Sequence, residues 1–351
     1  MSSDPAQVKV SICIGTYNRS NFLAHALQSI VTQLTDECEI VVADNASGDD
    51  TARVVAEFAE RYPRIRYIKQ SENLGLDRNY DTAVEQARGE YCWLFGDDDV
   101  MKDGAIRTML DALARPYSLV LGNWDIKDVN LETTISPSSF PDLVEDRVYG
   151  PAQMDRLIEY VLPMIFIGAV VIRRQLWLDR QRSEFYGSLL IHIGVIFQRT
   201  LPGDTLLIAQ PLATCRSGNS RWSSEVFDVQ AKWLPTIISA APVSEPVKTR
   251  LIRDLLKPFA LLSARAMNYY SLADYRRWIR PLTRTWRERT LALAIALAPA
   301  LLVNSSMVFF YTALSRHPLR SVRAEWLKTS NASFNRLASR LFQRAAAPGP
   351  T

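Results

Sequence analysis

Histidine and cysteine are scarce: 351 residues hold 3 His and 4 Cys. The cysteines (Cys13, Cys38, Cys92, Cys215) stand far apart with no CxxC pair, so a Cys/His zinc site is not expected. Three of them lie in or beside apolar runs, the setting of reduced core thiols in a cytosolic protein. The 14 glycines show no period, which excludes collagen-like and glycine-rich repeat architectures. Neither GxxxxGKS/T nor GxGxxG occurs, so a P-loop nucleotidase and a dinucleotide dehydrogenase are both disfavoured. Residues 1–10 contain no long apolar stretch, and no secretory leader is expected there.

What is present is ordinary in bulk and uneven in placement. Apolar residues at 48% and charged residues at 22% describe a globular chain with one large domain and an appendage. Residues 1–245 hold 23 Lys and Arg against 33 Asp and Glu, whereas residues 246–351 hold 18 against 4. An acidic part and a basic part imply different electrostatic partners. Within the basic part, residues 291–314 form a run of 24 without a charge, flanked by Arg284, Arg287 and Arg289 before it and Arg316, Arg320 and Arg323 after it. As one helix the run would reach about 36 Å, enough for a bilayer core, yet Pro299 and Asn304-Ser305-Ser306 interrupt it. Basic flanks on both sides suit a broken hairpin dipping into one leaflet of an anionic membrane, peripheral or re-entrant. Nucleic acid has no use for such a run and is not an expected partner.

Along the acidic part, short β-type runs alternate with amphipathic helical stretches. Strands are expected at 8–15, 39–44, 65–70, 91–96, 118–123, 165–172 and 205–209. Asn21 is expected to cap a first helix, and further helices are expected from Asp49 or Asp50 to about Tyr62, and over about 76–88, 104–114 and 188–199. Residues 124–150 read as a loop or hairpin excursion, and everything after about Val226 reads as helical. This alternation predicts an α/β fold with a doubly wound, mostly parallel sheet and ligands at the strand C-terminal ends. The proline cluster at Pro235, Pro242 and Pro246 places the boundary near 240, giving domains 1–240 and 241–351.

Polar residues gather at those strand ends. Asp97-Asp98-Asp99 follow the apolar run 91–96, and three adjacent carboxylates there call for a cation. Strand alternation would turn Asp97 and Asp99 to one ligand and Asp98 away, with Mg²⁺ or Mn²⁺ the fitting ion. Asp44 can accept from a base or ribose, while Ser47 and Asp49 can cap the next helix. Asn73 and Gly75 offer an exposed turn, and Arg78 can meet a phosphate or one of the aspartates.

Together SICIGTYNR, ADNASGDDT, ENLGLDRN and GEYCWLFGDDD resemble the successive motifs of family 2 glycosyltransferases of the GT-A fold. Thr16 precedes Asp44 by 28 residues and Asp44 precedes Asp97 by 53, in keeping with that layout. The WLFGDDD form with a later apolar tail most resembles the abequosyltransferase-like subgroup that builds bacterial surface polysaccharides. The resemblance implies that Thr16, Tyr17 and Asp44 hold the base, with Arg19 nearby, and that Asn73 and Arg78 line the nucleotide-sugar pocket. It implies further that Asp97 touches the ribose, that Asp98 belongs to the same site, and that Asp99, with Asp97, ligates Mn²⁺ or Mg²⁺. Arg216 and Arg221 would close over the diphosphate. Inverting members place an acidic base about 90 residues past the metal motif; here that stretch, 186–194, offers His192 instead, with Asp179, Glu184 and Asp204 in reserve. The expected activity is transfer of a sugar from a nucleoside-diphosphate donor to a hydroxyl of a lipid-linked, undecaprenyl-type glycan at the cytoplasmic face of the bacterial inner membrane. The alternatives are a polyprenyl-phosphate sugar synthase, whose acceptor phosphate needs no base, and a non-catalytic nucleotide-sugar or glycan-binding subunit.

Overall fold

Four runs rich in β-branched and aromatic residues, Val10–Thr16 (β1), Cys38–Asp44 (β2), Ile65–Lys69 (β3) and Tyr91–Gly96 (β4), pair in parallel in the order β3-β2-β1-β4. The computed structural model describes residues 8–162, 166–219 and 226–315, with Ala324 and Leu327 besides. The helices between these strands are Ser20–Val31 (α1), Thr51–Arg61 (α2) and Leu76–Gln86 (α3). The chain steps outward from β1 to β3 and then returns past both to β4. Right-handed crossovers in opposite directions put α1 and α2 on one face and α3 on the other. Between β1 and β4 the winding reverses, which opens a crevice at their C-terminal ends. Buried on both faces, β1, β2 and β4 need continuous apolar runs, and each has one.

Beyond β4 come Val100–Met101 (β5), Ala105–Ala112 (α4), Leu119–Lys127 (β6), Thr134–Ser136 (β7) and Arg147–Tyr149 (β8). Met154–Val161 (α5), Val170–Arg173 (β9), Arg174–Leu178 (α6), Ile191–Phe197 (α7) and Thr205–Arg216 (β10) follow. The sheet continues β4-β9-β6-β10-β5, with β9 antiparallel to both neighbours and β10 parallel to β6. The expected strand at 165–172 is thus shorter and reversed: Ile167–Ala169 form a 3-10 turn first, and residue 165 lies outside the described part. The expected strand at 205–209 runs on to Arg216, through Pro211, which cannot donate to the ladder and where the register slips. The 124–150 excursion is β7 paired to β6 and β8 paired to β10. Cys13, Cys38 and Cys92 are buried free thiols.

The chain divides into two units, Met1–Ser217 with Ser239–Val247, and Gly218–Ile238 with Lys248–Thr351. The boundary expected at 240 lies inside the segment that returns to the first unit. Described residues of the second unit are mostly helical, with a core at Phe227, Tyr270, Tyr275, Ile279 and Ile295. Among them no single helix is long and apolar enough to cross a membrane. Trp286–Leu297 and 300–314 form a pair bent by 98° at Pro299. The Asn304-Ser305-Ser306 triplet, expected to break the helix, does not. Asn304 turns inward and donates to the carbonyls of Ala266 and Leu327, both at 3.0 Å, and the Ser305 hydroxyl donates to the Leu301 carbonyl at 3.1 Å. Leu297, Leu302, Phe309 and Leu314 of this pair stand exposed.

Candidate active site

Thr16 ends β1 in register with Asp44 at the end of β2, and Gly15 pairs with Gly96 on the other side. The crevice at the winding reversal therefore opens between Thr16 and the aspartates, and the Thr16 hydroxyl bridges it by donating to Asp97 Oδ2 at 2.8 Å. Strand geometry stops at Gly96, so the alternation expected of the three carboxylates does not apply. Arg19 Nη1 donates to Asp97 Oδ1 at 3.3 Å and pairs with Asp98 Oδ2 at 2.9 Å, and Asp98 shares a cation with Asp97 rather than pointing away. Asp99 Oδ1 accepts from the Arg216 backbone N–H at 3.2 Å. A Cβ on residue 96 would collide with its other oxygen, so a side chain there would have to displace the Asp99 carboxylate.

Burial first, and the Asp98 charge second, push Asp97 up to about 7; the same two causes push Asp99 well above the usual carboxylate range. Without a cation the fold thus disfavours ionisation of Asp97 and Asp99. Among the described residues no group of three or more His, Cys, Asp or Glu is placed to hold a metal ion by itself. Hard carboxylate oxygens in such a setting suit a Mg²⁺ or Mn²⁺ ion bound by one or two carboxylates and completed by substrate phosphates. The residues present fit such an ion.

Arg216, the last residue of β10, borders the turn. Its Nε donates to the Asp98 carbonyl at 2.8 Å and its Nη1 to the Val129 carbonyl at 2.5 Å, while the buried Nη2 has no hydrogen-bond partner among the described residues. The guanidinium groups of Arg216 and Arg19 both lie over the Phe22 ring, 5.1 and 5.4 Å from its centroid. Arg221 lies outside the described residues.

On the other side of Thr16, Asp44 is fully buried and accepts from the Ser47 backbone N–H at 2.8 Å and from the Tyr67 hydroxyl. Tyr17 is exposed. Asp49 serves two helix starts, accepting from the Ser20 N–H at 2.9 Å and the Thr51 N–H at 3.1 Å. α1 begins at Ser20, and this link replaces the cap expected from Asn21. Asn73 Oδ1 accepts from Asn45 Nδ2 at 2.7 Å and from the Gly75 N–H at 2.9 Å, closing a turn whose left-handed φ of +84° suits glycine. Arg78 reaches none of the aspartates of the turn; it projects outward from α3 and lies over the Tyr186 ring at 5.8 Å.

The sequence alone did not show how the segment that carries His192 is held. β9 ends at Arg173, level with the start of β4, so α6 leaves from the lower edge of the sheet. The chain then climbs α3 against the carboxylates of Glu85, Asp81 and Asp77, which recur at four-residue spacing on one face. Arg182 pairs with Glu85 at 2.8 Å and with Asp81 at 2.8 Å, the Tyr186 hydroxyl donates to Asp81, and the Leu189 and Ile191 N–H groups donate to Asp77 at 2.8 and 3.0 Å. This ladder delivers buried His192, the second residue of α7, to the upper edge. Asp204 precedes β10 at the lower edge, Asp179 follows directly on α6 near that edge, and Glu184 is exposed midway up α3. Only His192 among the four arrives beside the strand C-terminal ends. Asp77→Ala removes both hydrogen bonds that fix the start of α7, and we expect it to cost about 2–4 kcal/mol in denaturant unfolding. An unchanged midpoint would show that the segment holds itself.

Residues 11–178 match the family model described as glycosyl transferase family 2. Among curated proteins, abequosyltransferase RfbV of Salmonella typhimurium is 29% identical over 231 residues, 62% of this chain and 69% of that protein. The GalNAc(5)-diNAcBac-PP-undecaprenol beta-1,3-glucosyltransferase of Campylobacter jejuni is 35% identical over 130 residues, 36% of this chain and 42% of that protein. Among solved structures, a mannosyltransferase from Pyrobaculum calidifontis in complex with GDP-Man and Mn²⁺ shares the fold, with a TM-score of 0.52 at 16% identity over 95% of this chain and 88% of that one. The strand order, the acidic turn at the winding reversal and these likenesses agree: this chain carries a family 2 glycosyltransferase domain, similar to the abequosyltransferase kind of bacterial enzyme.

Proposed function

We propose that the enzyme is metal-dependent and moves a sugar from a nucleoside-diphosphate donor to a hydroxyl of a lipid-linked glycan, in O-antigen or capsule-type synthesis at the cytoplasmic face of the bacterial inner membrane. The observation that carries this is the buried acidic turn Asp97–Asp99 at the winding reversal, bordered by Arg216 with one buried N–H group unspent. The nucleoside would lie along Thr16, Tyr17 and Asp44, with Asn73 and Arg78 on its far side and Asp97 at the ribose. Asp99 would hold the cation, with Asp97 beside it, and Arg216 would direct Nη2 at a phosphate oxygen. A bound Mn²⁺ or Mg²⁺ would neutralise the charge that develops on the departing diphosphate. His192 would take the proton of the acceptor hydroxyl. Support for the donor and cation comes from the mannosyltransferase bound to GDP-Man and Mn²⁺, and for the acceptor from the relative whose name specifies an undecaprenol-linked glycan.

A thermal-shift screen of UDP, GDP, CDP and dTDP and their sugars, with and without Mn²⁺, tests the donor reading. A ligand at a hundred times its Kd stabilises the native state by about 2.7 kcal/mol. If no nucleotide moves the transition under either condition, the reading is wrong.

The second unit suits attachment to an anionic membrane, since the bent pair exposes Leu302 and Phe309 while the surrounding sequence is strongly basic. The full-length protein should float with vesicles containing phosphatidylglycerol at about 0.15 M salt. Leu302→Glu with Phe309→Glu, both at exposed positions, should release it without lowering its melting temperature. Wild-type protein left behind by the vesicles would refute the attachment.

A further inference from the structure

We infer that Arg19 is an exchangeable counter-ion of the acidic turn, and that it makes donor and divalent cation bind as a coupled pair. This rests on the donor and cation reading above. Arg19 Nη1 sits between Asp97 and Asp98, at 3.3 and 2.9 Å, and the side chain is only 15% exposed. A divalent cation arriving alone at this turn meets a guanidinium already on two of its three carboxylates, and the two cations repel. The second arginine of the site is tied differently. Arg216 donates from Nε and Nη1 to the carbonyls of Asp98 and Val129, neutral acceptors that a phosphate does not displace from their place in the chain. Arg19 instead holds carboxylates, and a diphosphate offers its planar fork an equivalent pair of anionic oxygens. Phe22, which underlies both guanidinium groups, gives Arg19 a surface along which to pass from one set of acceptors to the other.

When the diphosphate takes Arg19, two carboxylates lose their counter-ion and the turn becomes a better cation site. By linkage the cation must tighten the diphosphate by the same factor. Arg19 thereby acts as a positioning residue: it keeps the acidic turn closed to free cations and opens it when the donor arrives. This separates it from Thr16, Tyr17 and Asp44, whose expected contacts are with the nucleoside.

The test is a binding cycle on the full chain, with free Mn²⁺ read by its electron paramagnetic resonance signal and corrected for Mn²⁺ held by nucleotide in solution. Mn²⁺ is titrated alone and with UDP, GDP, CDP or dTDP, and each nucleotide is titrated with and without Mn²⁺. In the wild type the effective diphosphate should tighten Mn²⁺ by about tenfold or more, within the usual range of site-to-site coupling. Arg19→Gln should bind Mn²⁺ alone about tenfold tighter than wild type, since it lacks the charge that excludes the ion, and should keep only the part of the coupling that direct contact between ion and phosphates supplies. Arg19→Lys keeps the charge without the fork; it should bind Mn²⁺ alone as weakly as wild type and recover only part of the coupling. Should the Gln variant fail to fold, full wild-type coupling in the Lys variant would still overturn the exchange. Wild-type Mn²⁺ affinity and coupling in Arg19→Gln overturn the inference alone. Failure of the wild type to bind any nucleotide or Mn²⁺ overturns the donor and cation reading with it.

Discussion

Asp99→Asn should abolish sugar transfer while leaving the cation-free protein more stable than wild type. Losing one strong electrostatic partner of a charge-developing transition state costs about 10²–10³-fold, and removal of a cation's own ligand should reach at least that. The stability gain follows from burial. Asp99 is 3% exposed, crowded by Asp98 and Asp97, and its ionisation in the fold is disfavoured enough to push its carboxyl well above the usual range. For a carboxyl raised in this way, the folded state holds its proton more tightly than the unfolded chain does. Its favourable contribution is complete below the unfolded value near 4 and is lost as pH rises through the folded one. With Asp97 up to about 7, cation-free wild type should lose stability between about pH 4 and 8, and Asp99→Asn should lose less. Melting curves across that range, with and without Mn²⁺, check both halves. Unchanged turnover at saturating Mn²⁺ would end the metal role of Asp99.

Strands β1, β2 and β4 were legible because each is buried on both faces and must be a continuous apolar run, and each ends at polar residues that no core strand would carry onward. β9 was less legible. Four residues long and antiparallel, it follows a 3-10 turn that consumes the first half of an apolar stretch, and periodicity cannot tell such a turn from a strand. β10 was half read because Pro211 looks like an end and is instead a slip in register. The bend at Pro299 was readable from a residue without an amide hydrogen, but the fate of Asn304 was not, since its partners Ala266 and Leu327 are remote in sequence.

In the site, residue types were legible and their partnerships were not. Three adjacent aspartates announce a cation, yet nothing local shows that Arg19, 78 residues away from Asp97, lies on two of them. Strand alternation predicted the wrong geometry for Asp98 because the chain turns one residue too early. The Asp77–Asp81–Glu85 ladder had a visible signal, carboxylates at four-residue spacing on one helix face, but such a stripe reads equally as a solvated surface. Its meaning comes from Arg182, Tyr186 and α7, roughly a hundred residues on, which the fold brings against it.

That ladder gives the last prediction its weight, because it carries His192 to the upper edge of the sheet and leaves Asp179 and Asp204 toward the lower one. If His192 takes the acceptor proton, His192→Gln should lower turnover by roughly 10²–10⁴-fold with little change in donor affinity. Gln keeps much of the volume and hydrogen-bonding capacity of the imidazole but accepts no proton near neutral pH. Wild-type activity should then fall as the medium is acidified, because an imidazolium has no lone pair to offer, and the Gln variant's residual activity should not follow that profile. A residue serving only the packing of α7, every position of which is buried, behaves otherwise: His192→Ala would lower the unfolding midpoint, and the folded fraction would turn over normally. The pair of variants therefore separates base from core by a rate on one side and a stability on the other. A stable, fully active Gln variant would remove His192 from the chemistry. With the reserve carboxylates lying low on the sheet or exposed beside α3, the acceptor would then be one that needs no base, and a lipid phosphate would replace the sugar hydroxyl as the attacking group.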